Sequence, residues 1–157
     1  MATHPTEPRE YGDRELPSLI GRSAEPVVVE SHFAGWAKPW RGLSAQGWSE
    51  LLHEFGERIN GARAETGSSR EFAARYGLEI IPAVLVFSAG EVVARFTGSV
   101  SAAEVIDAVY AALRQAHALE SASQELEAAS AAKDVLSPVR SVLRRRTNEA
   151  QPLARAG

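Results

Sequence analysis

Few side chains in this sequence are able to do covalent or metal chemistry, and their spacing excludes more than it offers. The chain contains no cysteine, which removes disulfides, thiolate metal sites and every cysteine nucleophile or redox couple. Its four histidines, His4, His32, His53 and His117, are scattered without ligand spacing, so no metal site is expected. Ser31 and His32 are neighbours on a run that reads as a strand. Adjacent strand residues point to opposite faces, so the two cannot work as a nucleophile and its base. No glycine-rich phosphate loop and no paired-carboxylate site is present, and no cofactor is implied.

The 157 residues, 45% of them hydrophobic, suffice for one folded unit with a core of ordinary size. A net charge of -3 is too mild to draw nucleic acid through the field of the whole molecule. No stretch approaches the roughly 18 to 20 apolar residues of a membrane-spanning helix. The opening run from Met1 to Glu15 is polar where a secretory signal would be apolar. A cytoplasmic, soluble protein is expected.

The chain divides by pattern into an arm, a domain and an extension. Residues 1–14 carry Pro5, Pro8 and Gly12 among polar residues and are expected to be mostly disordered, apart from a short strand near Arg9 to Tyr11. Residues 15–114 hold the regular elements. Leu16, Leu19 and Ile20 recur at helical spacing, with Asp13 placed to cap that helix and Gly21 to stop it. Pro26 to Val29 is a compact β-branched run suited to a strand buried on both faces. Between Trp40 and Ile59, Leu43, Trp48, Leu51, Leu52 and Phe55 share one side of a helix that Gly42 and Gly47 should kink or delay. Ile59 to Ala64 is a weak strand, and Ser69 to Tyr76 a short helix stopped by Gly77. Ala83 to Phe87 and Val92 to Phe96 form a hairpin through the four residues Ser88 to Glu91. Ser101 with Glu104 three residues on is a capping box, opening a helix with Val105, Ile106, Val109, Tyr110 and Leu113 inward.

Residues 115–157 form a helical extension and a basic tail. From Gln115 to Asp134 the only large apolar residues are Leu119 and Leu126, so helix propensity is high while core-forming power is low. Ser137-Pro138 should end this helix. Residues 138–157 then carry five arginines against one acid, Glu149. They read either as a short basic amphipathic helix or, the preferred reading, as a solvated tail.

Two segments make the βαβαββα order specific: Ala34-Gly-Trp-Ala-Lys-Pro-Trp40 after the central strand, and Tyr76-Gly-Leu-Glu-Ile-Ile-Pro-Ala-Val-Leu-Val-Phe87 before the hairpin. Together they resemble the thioredoxin family, whose pattern is a strand, then A-x-W-C-G-P-C opening a helix, then Y-G-V-x-x-x-P-T with a cis proline, and a hairpin turn ending in Gly-Glu. Gly90-Glu91 matches that turn, and the resemblance covers residues 9 to 114. It implies an α/β thioredoxin fold, a central mixed sheet flanked by helices, here with a C-terminal helical extension.

By position, Ala37 and Trp40 stand where the family has its two cysteines, while Trp36 and Pro39 are retained. The carboxylate that the family buries in the central strand is expected to be missing. The matching position holds Ser31, with Glu30 on the opposite face. A redox-inactive member, with no catalytic residue, is the implied reading. The resemblance also implies a cis bond before Pro82, which would expose the backbone of Ile81 as an edge for an extended peptide. Trp36, Lys38, Pro39, Ile81, Pro82, Gly98 and Ser99 would then surround a shallow apolar groove. The Trp40 indole either packs inward and fills the former active site, or lies outward and enlarges that surface.

The function expected is a non-catalytic module that holds a client protein at this face, as an accessory, assembly or chaperone-type protein. The alternative is a structural subunit of a larger enzyme or particle, attached through its C-terminal extension. Leu119 and Leu126 would make that attachment, to another protein or to a second copy as a homo-oligomer. Neither nucleic acid nor a membrane surface is expected as the main partner.

Overall fold

The computed structural model of the chain describes residues 6–33 and 41–149, with side chains as far as Lys133. Each element has a local cause. Strand β1 (Arg9–Glu10) is two residues long and pairs in parallel with Ala62 and Arg63. The Tyr11 N–H extends this pairing by donating to the Arg63 carbonyl at 2.8 Å. Helix α1 (Leu16–Arg22) buries Leu16 and Ile20 and has proline in its first turn, where the missing N–H would have had no partner. Asp13 does not cap it. The Asp13 carboxylate instead accepts the Glu71 and Phe72 N–H groups, at 3.0 and 2.9 Å, at the start of a later helix. Gly21 lies within α1 and is not its stop, since the helix runs one residue further to Arg22, with Ser23 as its C-cap.

The β-branched run grows into a longer strand, β2 (Val27–His32), buried along its whole length. Helix α2 (Ala45–Phe55) starts later than the span from Trp40 suggests. The Ser44 side chain accepts the Gly47 N–H at 2.9 Å, a direct N-cap. Gly47 is part of the first turn rather than a kink. A Cβ there would stand 2.9 Å from Leu43 Cδ2, so the glycine is what lets Leu43 lie against the helix. Gly56, at φ 54°, ends α2, and a 3-10 turn (Gly56–Arg58) leads into β3 (Asn60–Glu65).

Helix α3 (Arg70–Arg75) buries Phe72 and is followed by Gly77 at φ 60°. Strands β4 (Ala83–Ser88) and β5 (Glu91–Thr97) are joined by two residues, Ala89 and Gly90, both at positive φ, fewer than the four-residue connection expected. That geometry suits the twist of a tight hairpin. Helix α4 (Ala102–Glu149) opens with the expected capping box: the Glu104 N–H donates to Ser101 Oγ, and the Ser101 N–H to Glu104 Oε2. Ser137-Pro138 does not stop α4. One proline removes one backbone donor, and the strong helix formers on both sides continue the run.

The five strands form one mixed sheet in the order β1-β3-β2-β4-β5. β2 and β3 are parallel, while β2 with β4 and β4 with β5 are antiparallel. Strand alternation divides the core in two. Val28, Val84 and Val86 face Leu43, Trp48, Leu51, Phe55, Val105 and Val109, from α2, the segment before it and the start of α4. Val27, Val29, Leu85 and Phe87 face Leu16, Ile20 and Phe72, from α1 and α3. This is the α/β thioredoxin fold that the motifs imply.

By internal packing the chain forms two units, residues 1–116 and 117–157. In the second, every residue from 117 to 133 is exposed. Among the described residues no helix is long and apolar enough to cross a membrane.

Candidate functional site

Register places one end of the sheet under the candidate face. Ser31 of β2 pairs with Ala83, the first residue of β4, and Ala83 pairs with Thr97, the last of β5. The residues just outside these pairs are therefore neighbours in space: Phe33 beyond β2, Ile81 and Pro82 before β4, Gly98 and Ser99 after β5. The Ile81-Pro82 peptide bond is cis, as the resemblance implies. Pro82 is buried, Ile81 half-buried and Ser99 exposed. The Gly98 N–H donates to the Pro82 carbonyl at 2.7 Å, and the Val100 N–H to the Gly42 carbonyl at 2.8 Å. Gly98 has φ 76°, a region that favours glycine.

Ile81, Pro82, Gly98 and Ser99 thus lie at one end of the sheet. Trp36, Ala37, Lys38, Pro39 and Trp40 lie outside the described residues, as does the choice between the two placements of the Trp40 indole. Leu119 and Leu126 belong to the second unit and are 60% and 72% exposed. Two apolar residues of this face escape a motif reading: Phe33, 50% exposed, and Ile80, 61% exposed. Neither has a periodic partner in the sequence, so only their exposure in the fold singles them out.

Beneath the face lies a charged network. Contrary to expectation, the central strand does bury a carboxylate, and it is Glu30, with no exposed surface. Glu30 Oε2 accepts the Leu43 N–H at 2.7 Å, and Oε1 accepts the Arg63 Nε–H at 3.1 Å. Counting back from Trp36 selects Ser31, but a count shifted by one residue turns a strand side chain to the other face. Room for the acid comes from Gly42, where a Cβ would stand 2.9 Å from Val84 Cγ2 and 3.5 Å from Glu30 Oε2. Arg63 also reaches Glu10 Oε1 at 3.6 Å, and His32 Nε2 lies 2.8 Å from the same oxygen. The first strand is therefore tied to the centre of the sheet by side chains as well as by its ladder. On the opposite face of β2, Ser31 Oγ is buried without a hydrogen-bond partner among the described residues.

What the arrangement offers chemically is a surface with apolar side chains and strand ends, backed by a buried acid-arginine pair. No thiol is available to it. Thiol-disulfide exchange needs an attacking thiolate, and the chain has no cysteine.

No family model matches the sequence. Over 76 residues it is 33% identical to thioredoxin C-2 of Corynebacterium nephridii, covering 48% of this chain and 69% of that one. Over 81 residues it is 31% identical to the thioredoxin of Bacillus subtilis (strain 168), covering 52% and 77%. Among solved structures, chloroplastic thioredoxin z superposes with a TM-score of 0.56 at 16% identity, over 69% of this chain and 96% of that one. The last similarity speaks for the fold alone. Identity above 30% over 69% and 77% of two relatives' length shows that the chain belongs to the thioredoxin family.

Proposed function

We propose that this protein is a non-catalytic thioredoxin-fold binding module, an accessory, assembly or chaperone-type protein. It holds an extended segment of a client protein at the end of the sheet where Ile81, Pro82, Gly98 and Ser99 lie, with Trp36, Ala37, Lys38, Pro39 and Trp40 as further contacts of the client. The observation that carries the reading is the exposure of Ile80 and Phe33, 61% and 50%, at the end of the sheet where Ile81 precedes β4. Apolar side chains beside a strand end suit an extended peptide, which pairs through its backbone and seats alternate side chains. With no cysteine in the chain, a bound segment is held without a mixed disulfide. The same reading takes the protein to be cytoplasmic, which localisation of the tagged chain tests.

Capture of partners from a native extract tests the reading, using the chain itself, Trp36→Ala with Trp40→Ala, and Ile80→Asp. A client retained by the unaltered chain should be lost from both variants. A client retained equally by all three does not use this face. The second reading, a structural subunit attached through its extension, is favoured by the exposed Leu119 and Leu126. Removal of residues 115–157 should abolish assembly in that case and leave capture at the groove intact in the first.

A further inference from the structure

In the second unit, Leu119 and Leu126 are seven residues apart on α4, both exposed. A rise of 1.5 Å per residue puts them about 10 Å apart along the helix. Ser123 falls between them, and Ser130 continues the seam. Glu120 and Glu127 follow the two leucines with the same spacing, while Ala122 and Ala129 occupy the other flank. In heptad terms the seam is leucine and serine alternately, one flank is acidic and the other is small. Small residues let a second backbone approach, and leucines at this spacing seat between the side chains of a facing helix.

We infer that this face of α4 docks an amphipathic helix of another protein, one that presents an apolar seam to Leu119 and Leu126 and a column of lysine or arginine to Glu120 and Glu127. Charge selects the occupant. Between 117 and 133 the acids are Glu120, Glu125 and Glu127, against one cation, Lys133. The same stretch of a second copy would face these glutamates with alanines in a parallel pairing and with glutamates in an antiparallel one, and in neither with a cation. It would also bring only leucine and serine to a seam whose serines leave space, whereas a partner with leucine at each seam position fills it. The inference goes beyond the client groove and does not depend on it.

The test uses the full chain and two synthetic helical peptides of about three heptads with leucine along the seam, one flanked by lysine and one by glutamate. Binding is read by fluorescence anisotropy, and the mass of the chain alone by sedimentation. The lysine peptide should bind at least tenfold more tightly than the glutamate peptide, and less tightly as salt rises. Leu119→Ala with Leu126→Ala should weaken it at least tenfold, whereas Ile80→Asp should leave it unchanged. Glu120→Lys with Glu127→Lys should reverse the preference between the peptides. Equal binding of both peptides, or binding of the lysine peptide that survives loss of both leucines, overturns the inference. A chain that is dimeric by itself and becomes monomeric on loss of the leucines assigns the face to a second copy and overturns it as well.

Discussion

Glu30 and Arg63 stand opposite each other in the register of β2 and β3, and the Glu30 carboxylate accepts the Arg63 Nε–H at 3.1 Å with no exposed surface on the glutamate. A carboxylate so placed is stable only while its partners remain, because desolvation of an unpaired buried charge outweighs most packing gains. The Leu43 N–H is the second partner and attaches the loop before α2 to the same acid.

Arg63→Met should therefore cost about 3–5 kcal/mol, the range for a buried pair that loses one member. Arg63→Met combined with Glu30→Gln should recover a large part of that loss, since no uncompensated charge is left. Urea unfolding of the two single variants and the double variant measures the coupling. A loss below about 1 kcal/mol in Arg63→Met would place the pair among weakly coupled surface pairs.

Two glycines should respond to alanine in opposite ways. At Gly42 a Cβ would meet Val84 Cγ2 at 2.9 Å and the Gly98 carbonyl oxygen at 3.5 Å, so Gly42→Ala should destabilise by about 1–3 kcal/mol through overpacking. Gly21 lies in α1 with nothing within 4 Å of a built Cβ, so Gly21→Ala should stabilise by roughly 0.5–1 kcal/mol. Thermal unfolding of both variants checks the signs. A stabilising Gly42→Ala would contradict the close approach of this loop to β4.

The capping box of α4 makes a pH prediction. The Ser101 backbone N–H, and after it the Ser101 hydroxyl, hold the Glu104 carboxyl below the usual glutamate range. A carboxyl depressed on folding contributes stability above its unfolded pKa, and loses that contribution as pH falls through the folded value. Glu104→Gln should therefore make the acid limb of the stability curve less steep and leave its shape near neutral pH unchanged. An NMR titration in which Glu104 follows the ordinary glutamates would remove the basis for this.

The unaltered chain should reduce no disulfide, and insulin reduction should stay at background. Ala37→Cys with Trp40→Cys restores two thiols to the segment that precedes Gly42, while Glu30 supplies a buried acid behind Leu43. Disulfide reductase activity of that variant should fall several-fold when Glu30→Gln is added, since a thiol's reactivity follows the charges around it. Equal activity with and without Glu30 would show that the carboxylate serves only the sheet.

Much of the scaffold is legible in one dimension because a single buried face leaves a period in the sequence. Trp48, Leu51, Leu52 and Phe55 announce α2 by their spacing, and all four are buried. Ser101 and Glu104 announce the start of α4 because their bonds close within one turn. The continuous run Val27 to Val29 likewise states that β2 is covered on both sides, and it is.

Other features depend on groups far apart in the chain, and no local period records them. Asp13 looks like the cap of the helix that follows it, yet its carboxylate binds the N–H groups of Glu71 and Phe72. The start of α2 at Ala45 depends on Gly42 and Leu43 reaching Val84 and Glu30 before the helix begins. Phe33 and Ile80 are ordinary apolar letters in the sequence, and only the pairing of β2 with β4 brings them to one end of the sheet with both exposed.

The residues themselves determined that this sequence holds no cysteine, that the chain follows the thioredoxin order of elements, and that Leu119 and Leu126 have little apolar company. Tertiary structure decided which side of β2 carries the buried acid, since a strand offers its alternate residues to two faces equally. Arg63 across the ladder and the space above Gly42 make one of those faces the place where the Glu30 carboxyl can be buried with its hydrogen-bond partners.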